Sequence, residues 1–221
     1  MSFNVAIDGP AGAGKSTIAK VVASKLKLIY VDSGSLYRAM TLFLLRNEIP
    51  LEDEQAVADK CQEADITIRY ENGNQMVYLN GDNVNGYLRT EEVGNKASFV
   101  SAQPAIRKKL LQLQQDLAAK NDCIMDGRDI GTCVLPYANV KIYLTASSQV
   151  RAQRRYDQLL LKGEPCDLEK IKADIEERDF RDMNREISPL KQAGDAILVD
   201  TSDMTVEEVI DNIIKICQEK R

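Results

Sequence analysis

Nine consecutive residues, Gly9-Pro10-Ala11-Gly12-Ala13-Gly14-Lys15-Ser16-Thr17, follow the order glycine, four residues, glycine, lysine, serine. That spacing wraps a main chain around polyphosphate. Glycines let the backbone turn where a Cβ would clash, so successive N–H groups converge on one concavity, and the helix that follows adds the positive end of its dipole. In such a loop Lys15 reaches the β and γ phosphates. The Ser16 hydroxyl becomes a ligand for the Mg2+ ion that travels with the nucleotide, and Thr17 continues the helix within reach of a phosphate oxygen.

A second group of chemically capable residues is Asp126-Gly127-Arg128-Asp129, directly after the apolar run Cys123-Ile124-Met125. A carboxylate closing a core strand beside a phosphate loop suits magnesium, directly or through water, which makes Asp126 a metal candidate together with Ser16. Arg128 can fork onto a phosphate while Asp129 accepts from an amine or a sugar hydroxyl; the alternative is a local ion pair between them. Arg107 sits in a basic run with Lys108 and Lys109 and is either an acceptor contact or part of a solvated face. Arg151, Arg154 and Arg155 share one helical face, as do Arg178, Arg181 and Arg185, with Asp182 four residues after Arg178. These two arginine faces flank a hairpin near Gly163 and suit a lid that closes over polyphosphate and excludes water. Their other reading is a pair of salt-bridged exposed helices, with Glu176, Asp179 and Asp182 as partners.

The elements that must position these residues follow from pattern. A β-prone run, Phe3 to Asp8, precedes the loop, and Ser16 to Leu26 carries Ile18, Val22 and Leu26 four apart, an apolar helical stripe. Leu28 to Asp32 reads as a second strand, and Ser33-Gly34-Ser35 opens a helix. Ligands of doubly wound sheets collect at the carboxyl ends of strands, so the segment Asp32 to Arg38 is a second-substrate lip. Residues 64–90 change character: Asp65 to Tyr70 and Gln75 to Leu79 read as strands joined by a turn, with a further turn signal at Asn80-Gly81. Val93 to Lys120 is mainly helical with a break at Gln103-Pro104. Further strands are expected at 123–126, 140–144 and 196–200, helices after Ser147 and around 177–185, and a closing helix over 205–217.

Composition narrows the chemistry. The 221 residues contain no histidine, which excludes His-based acid–base catalysis, Ser-His-Asp chemistry and His-ligated metals. Five widely spaced cysteines without a C-x-x-C pair read as reduced thiols. A net charge of −5 argues against a general nucleic-acid binder, and no apolar run is long enough to span a bilayer, so a soluble cytoplasmic protein is expected. A switch GTPase would need Asn-Lys-x-Asp, whereas Asn95-Lys96-Ala97-Ser98 lacks the aspartate, and none of the twelve glycines has an aspartate three positions before it. Residue chemistry alone therefore points to phosphoryl transfer to an anionic small molecule. A kinase for another nucleotide or for shikimate, and a non-enzymatic nucleotide-dependent regulator, both remain open at this point.

Across almost the whole chain the sequence resembles the bacterial cytidylate kinases, a branch of the nucleoside monophosphate kinases. The likeness is carried by Gly9 to Thr17, by Asp32-Ser33-Gly34-Ser35-Leu36-Tyr37-Arg38, and by Arg89-Thr90-Glu91-Glu92-Val93. It continues in Asp126-Gly127-Arg128-Asp129-Ile130-Gly131-Thr132 and in Arg178 to Arg185. The resemblance implies an α/β P-loop three-layer fold with a parallel core sheet, an inserted small antiparallel β region and a helical arginine-rich lid. It divides the chain into a core (1–32, 91–150 and 190–221), a monophosphate-binding region (33–90, with the insert at about 64–90) and a lid (about 151–189). It implies γ-phosphoryl transfer from ATP, with Mg2+, to CMP or dCMP by a monomer. Acceptor positions carried over are Ser33, Arg38, Ser98, Arg107, Arg128, Asp129, Arg178, Asp182 and Arg185. Among them Ser98, Arg107 and Asp129 read cytosine, Asp182 holds the sugar hydroxyls, and Arg38, Arg128 and Arg185 grip the acceptor phosphate. Lys15, Arg128, Arg154, Arg155 and Arg185 form the implied catalytic set, and Arg151, Arg154 and Arg155 are implied to face ATP, Arg154 and Arg155 foremost.

Overall fold

Short apolar runs alternate with helical stripes along the chain, and that alternation demands a parallel sheet covered on both faces. The computed structural model describes residues 2–221. In chain order its first half comprises β1 (Asn4–Asp8), α1 (Lys15–Leu26), β2 (Ile29–Asp32), α2 (Ser33–Arg46), α3 (Glu54–Cys61), β3 (Ile66–Glu71), β4 (Asn74–Leu79), β5 (Asp82–Asn83) and α4 (Glu91–Val100). The second half comprises α5 (Pro104–Lys120), β6 (Cys123–Gly127), β7 (Val140–Thr145), α6 (Ser148–Leu161), α7 (Leu168–Asn184), β8 (Ile197–Asp200) and α8 (Val206–Glu219). A single π-helical turn, Ile130–Val134, lies between β6 and β7.

Five strands form a parallel sheet in the order β2-β6-β1-β7-β8. Side chains of a strand alternate between faces, and β1 shows what that does here. Val5 and Ile7 pack with Ile18 and Val22 of α1 and with Ile210 and Ile213 of α8. Ala6 points the other way, to Met125, Ala118 of α5 and the Ile130 side chain. β1 is thus buried on both faces, as a central parallel strand must be. Because β1 lies beside β6, with Ile7 opposite Asp126 and Asp8 opposite Gly127, the phosphate loop and the Asp126-Gly127-Arg128-Asp129 segment leave the sheet side by side.

The inserted region is a three-stranded antiparallel sheet, β3-β4-β5, one short strand more than the sequence pattern indicates. Its turns at Asn72-Gly73 and Asn80-Gly81 place both residues of each pair at positive φ, the geometry of tight hairpins. Ile66, Val77 and Leu79 on its inner face join Leu36, Met40 and Leu44 of α2 in one cluster, so the insert shares a core with the acceptor-side helices. Helix α3 was not apparent in the sequence pattern. Among the described residues no helix is long and apolar enough to cross a membrane.

Candidate active site

The phosphate loop is shaped by backbone. At Gly9 φ is 147°, and a Cβ there would lie 1.9 Å from the Leu144 carbonyl oxygen of β7. Gly14 caps α1 in the left-handed region with no side-chain bond, leaving the helix N-terminus open toward the loop. Lys15 is buried, and its ammonium donates to the carbonyls of Gly9 and Pro10 at 2.7 Å each. Burial, reinforced by Arg128, pushes its pKa down, a state that an arriving anion would relieve.

Three strand ends bring carboxylates to the same edge. Asp126 accepts hydrogen bonds from the Ser16 hydroxyl and the Tyr30 phenol, both at 2.8 Å. Its pKa is raised, mainly by burial and by neighbouring Asp32. A hydroxyl and a carboxylate in contact are hard oxygen donors, and no group of three or more potential ligand side chains stands anywhere among the described residues. That pattern fits Mg2+, which takes one or two protein oxygens and completes its shell with water and substrate phosphates. Asp8, at the end of β1, accepts from the backbone N–H groups of Ile130 and Gly131 at 2.7 Å each, and burial raises its pKa to about 6. Asp32 caps α2 through Ser35 N–H at 3.1 Å and meets Arg89 at 3.5 Å.

The remaining site residues converge from α2, α4, α5, the segment after β6, and α7. Arg128 and Asp129, adjacent in sequence, do not pair with each other. Arg128 Nε donates to Asp182 at 2.8 Å, while Asp129 pairs with Arg107 and, at 3.4 Å, with Arg185. Arg107 also donates to the Ser101 carbonyl at 2.9 Å and stacks its guanidinium 5.5 Å from the Tyr37 ring. Burial would lift the Asp182 carboxyl, but Arg128, Arg178 and Arg185 outweigh it and hold it below the usual range. Arg178, mostly buried, has its pKa lowered to about 10 and its Nε lacks a hydrogen-bond partner among the described residues.

One cavity of about 380 Å3 joins these parts, lined by Lys15, Ser16 and Thr17 of the loop and by all nine expected acceptor positions, Ser33, Arg38, Ser98, Arg107, Arg128, Asp129, Arg178, Asp182 and Arg185. Seven cationic side chains line it against four carboxylates, in a chain whose net charge is −5, so the site is a local positive focus for an anion. Arg181 departs from the expected arginine face. It is exposed and pairs with Glu177 at 3.7 Å, leaving Arg178, Asp182 and Arg185 as the inward set.

The α6 arginines are placed differently from one another. Arg151 is buried, donating to the carbonyls of Ala146 and Ala11 and pairing with Asp179 at 2.6 Å, so it ties α6 and α7 to the phosphate loop. Arg154 donates to the carbonyl and hydroxyl of Thr201, at 2.8 and 3.1 Å, and Arg155 is exposed; neither lines the cavity. Sequence reasoning missed Asp8, Tyr30 and Gln75. Asp8 closes a strand as Asp126 does, a signal that could have found it. Gln75, from the inserted sheet, holds Asp32 N–H at 2.8 Å and the Ser35 hydroxyl at 2.7 Å, a contact that no local pattern announces.

Comparison with known proteins agrees with this geometry. A gluconokinase from Sinorhizobium meliloti superposes with a TM-score of 0.50 at 11% identity, covering 98% of this chain and 92% of that one. A shikimate kinase from Bacteroides thetaiotaomicron gives 0.50 at 11% identity, covering 98% of each chain; at such identities the likeness concerns the fold alone. Among sequence relatives, the cytidylate kinase of Lactobacillus gasseri is 50% identical over 219 residues, covering 99% of this chain and 95% of its own. That of Listeria welshimeri is 49% identical over 217 residues, covering 98% of this chain and 96% of its own. The family model for cytidylate kinase matches residues 5–219, and the chain, with its phosphate loop and arginine–aspartate wall in one cavity, belongs to that family of nucleoside monophosphate kinases.

Proposed function

We propose that this chain transfers the γ-phosphoryl group of ATP to CMP or dCMP by direct in-line displacement, giving ADP and CDP or dCDP. The observation that carries the reading is that the loop holding Lys15 and the Arg128–Asp182 and Arg107–Asp129–Arg185 contacts line one cavity. In this reading residues 1–32, 91–150 and 190–221 form the core, 33–90 receive the monophosphate, and 151–189 act as the lid.

The acceptor oxygen belongs to a phosphate already ionised near neutral pH, so no general base has to remove a proton, and a chain without histidine is sufficient. What remains for the protein is alignment and charge stabilisation. Lys15 leaves the Gly9 and Pro10 carbonyls for the β and γ phosphates. Arg38, Arg128 and Arg185 grip the acceptor phosphate, and Arg178 adds its unpartnered Nε to the same region. As Arg128 turns to phosphate, Asp182 is released to accept from the sugar hydroxyls, while Ser98, Arg107 and Asp129 read the cytosine edge. Ser16 and Asp126 would hold Mg2+, whose chemistry is to neutralise charge on the transferring group. Arg154 and Arg155 complete the donor side only if α6 swings toward the loop. A monomer is the working unit in this reading.

The test is a coupled ADP-release assay with ATP and Mg2+ against CMP, dCMP, UMP, AMP, GMP and shikimate. Strong turnover confined to CMP and dCMP is expected. Turnover centred on another acceptor would remove the cytosine-reading assignments, and none on any acceptor would end the kinase reading.

A further inference from the structure

A second cavity lies between α1, the start of α2 and the Asn72-Gly73 turn of the inserted sheet, with a volume of about 510 Å3. That is within the roughly 300–1,000 Å3 typical of small-molecule sites. Lys20, Lys27, Arg38 and Arg89 line it, and Asp32 is its only carboxylate. Asp32 is already committed to the cap of α2 and to Arg89. Lys20, Lys27 and Arg38 have no carboxylate within 4 Å among the described residues, and the Lys20 ammonium stands 5.6 Å from the Tyr30 ring. Lys20, Lys27 and Arg89 are exposed, with their heads in solvent, and four cations around one concavity with a single carboxylate make a local positive focus for an anion.

We propose that this cavity is a second anion site that takes a di- or triphosphate group. A singly charged anion would leave most of the cationic lining uncompensated, whereas an oligophosphate offers oxygens to the two lysines as point charges and to Arg38 as a fork. The two cavities share Asp32, Arg38 and Arg89. An oligophosphate that engages Arg38 from this side withdraws it from the acceptor side and raises the KM for the acceptor. The binding half stands on the cavity alone; the kinetic half rests on the reading of Arg38 as an acceptor-phosphate group. A free phosphate chain and the tail of a nucleotide present the same chemistry.

The experiment uses the full chain with its phosphate loop saturated by a non-hydrolysable ATP analogue and free Mg2+ held constant. Inorganic tripolyphosphate and, separately, CTP are titrated by calorimetry. The comparison variant is Lys20→Ala with Lys27→Asn, because Lys27 sits at φ 56° and asparagine tolerates that left-handed conformation. One further site is expected for tripolyphosphate, weakened about tenfold or more in the double variant, with unchanged turnover when no oligophosphate is added. Equal binding of both ligands identifies a site for the phosphate chain itself; tighter CTP identifies a nucleotide tail. No second site, or one that the double variant does not weaken, overturns the proposal. In wild type, tripolyphosphate should raise the KM for CMP and should not do so in the double variant; binding without that change removes the coupling through Arg38. Loss of CMP turnover in every form of the protein would be a failure of the kinase reading, separate from this site.

Discussion

The phosphate loop and the arginine–aspartate wall share one cavity but are made of different material. The loop is nine consecutive residues whose geometry comes from backbone: a glycine pressed against a β7 carbonyl, another capping α1, and one lysine. The wall is side chains from five separate segments, held by charge pairs in which no arginine pairs with a carboxylate adjacent to it in sequence. A backbone-built site fails when a Cβ is added or a cation removed, and it depends little on distant residues. A site built of paired charges fails when one partner is neutralised, because the others are left buried and uncompensated.

Four changes break or sharpen that contrast. Lys15→Ala should cost about 10³-fold or more in kcat, as loss of a transition-state cation does in phosphoryl transfer, with a thermal midpoint close to wild type. Near-normal turnover would remove the loop from the chemistry. Gly9→Ala should act on stability, by about 4 kcal/mol or more, since its Cβ would lie 1.9 Å from a backbone oxygen that cannot move aside. Urea unfolding with an unchanged midpoint would show that the loop accommodates side chains after all. Asp129→Asn keeps the shape but removes the carboxylate that pairs with both Arg107 and Arg185, and should destabilise by about 3 kcal/mol while raising the KM for CMP. An effect on KM alone would mean that the wall is not held by its charges.

The fourth concerns Asp8, which joins the two regions by receiving the N–H groups that follow Asp129. Its folded pKa lies above its ordinary value, at about 6 against 3.8, so the native state holds the proton more tightly. The stability it contributes is full below about pH 3.8 and is lost as pH rises through about 6, a change of about 3 kcal/mol. The stability difference between wild type and Asp8→Asn, measured by denaturant at pH 4.5 and 7, should shift toward the variant at the higher pH. A pH-independent difference would mean that Asp8 ionises normally.

How much of this was legible in the sequence follows from the same contrast. The phosphate loop could be read because its contacts are local, and the parallel sheet because buried strands and amphipathic helices leave periodic marks. Arg107, Arg128, Asp129 and the Asp32 to Arg38 segment stood out as acceptor candidates by type and place, the full set with individual roles came only through family resemblance, and the helical spacing that placed Arg178 and Arg185 on one face also enlisted Arg181, which the structure turns to solvent. Spacing fixes an angle around an axis only to within a broad arc and says nothing of what a neighbouring segment leaves uncovered. Gln75 lay beyond reach for a related reason. Its bonds to Asp32 and Ser35 depend on how the inserted sheet docks, which is set by packing of Val77 and Leu79 rather than by anything near Gln75 that a pattern records.

The π-helical turn at Ile130–Val134 carries a consequence for chain length. Such a turn holds one residue more than the α-helical turn it replaces. Deleting a single residue there, such as Thr132, would let the segment relax to ordinary helix and rotate the Ile130 and Gly131 N–H groups off the Asp8 carboxylate. Arg128 and Asp129 hang from the same anchor. In this enzyme a one-codon change in length, at a turn that does not itself line the cavity, would re-aim the arginine–aspartate wall as surely as replacing its arginines.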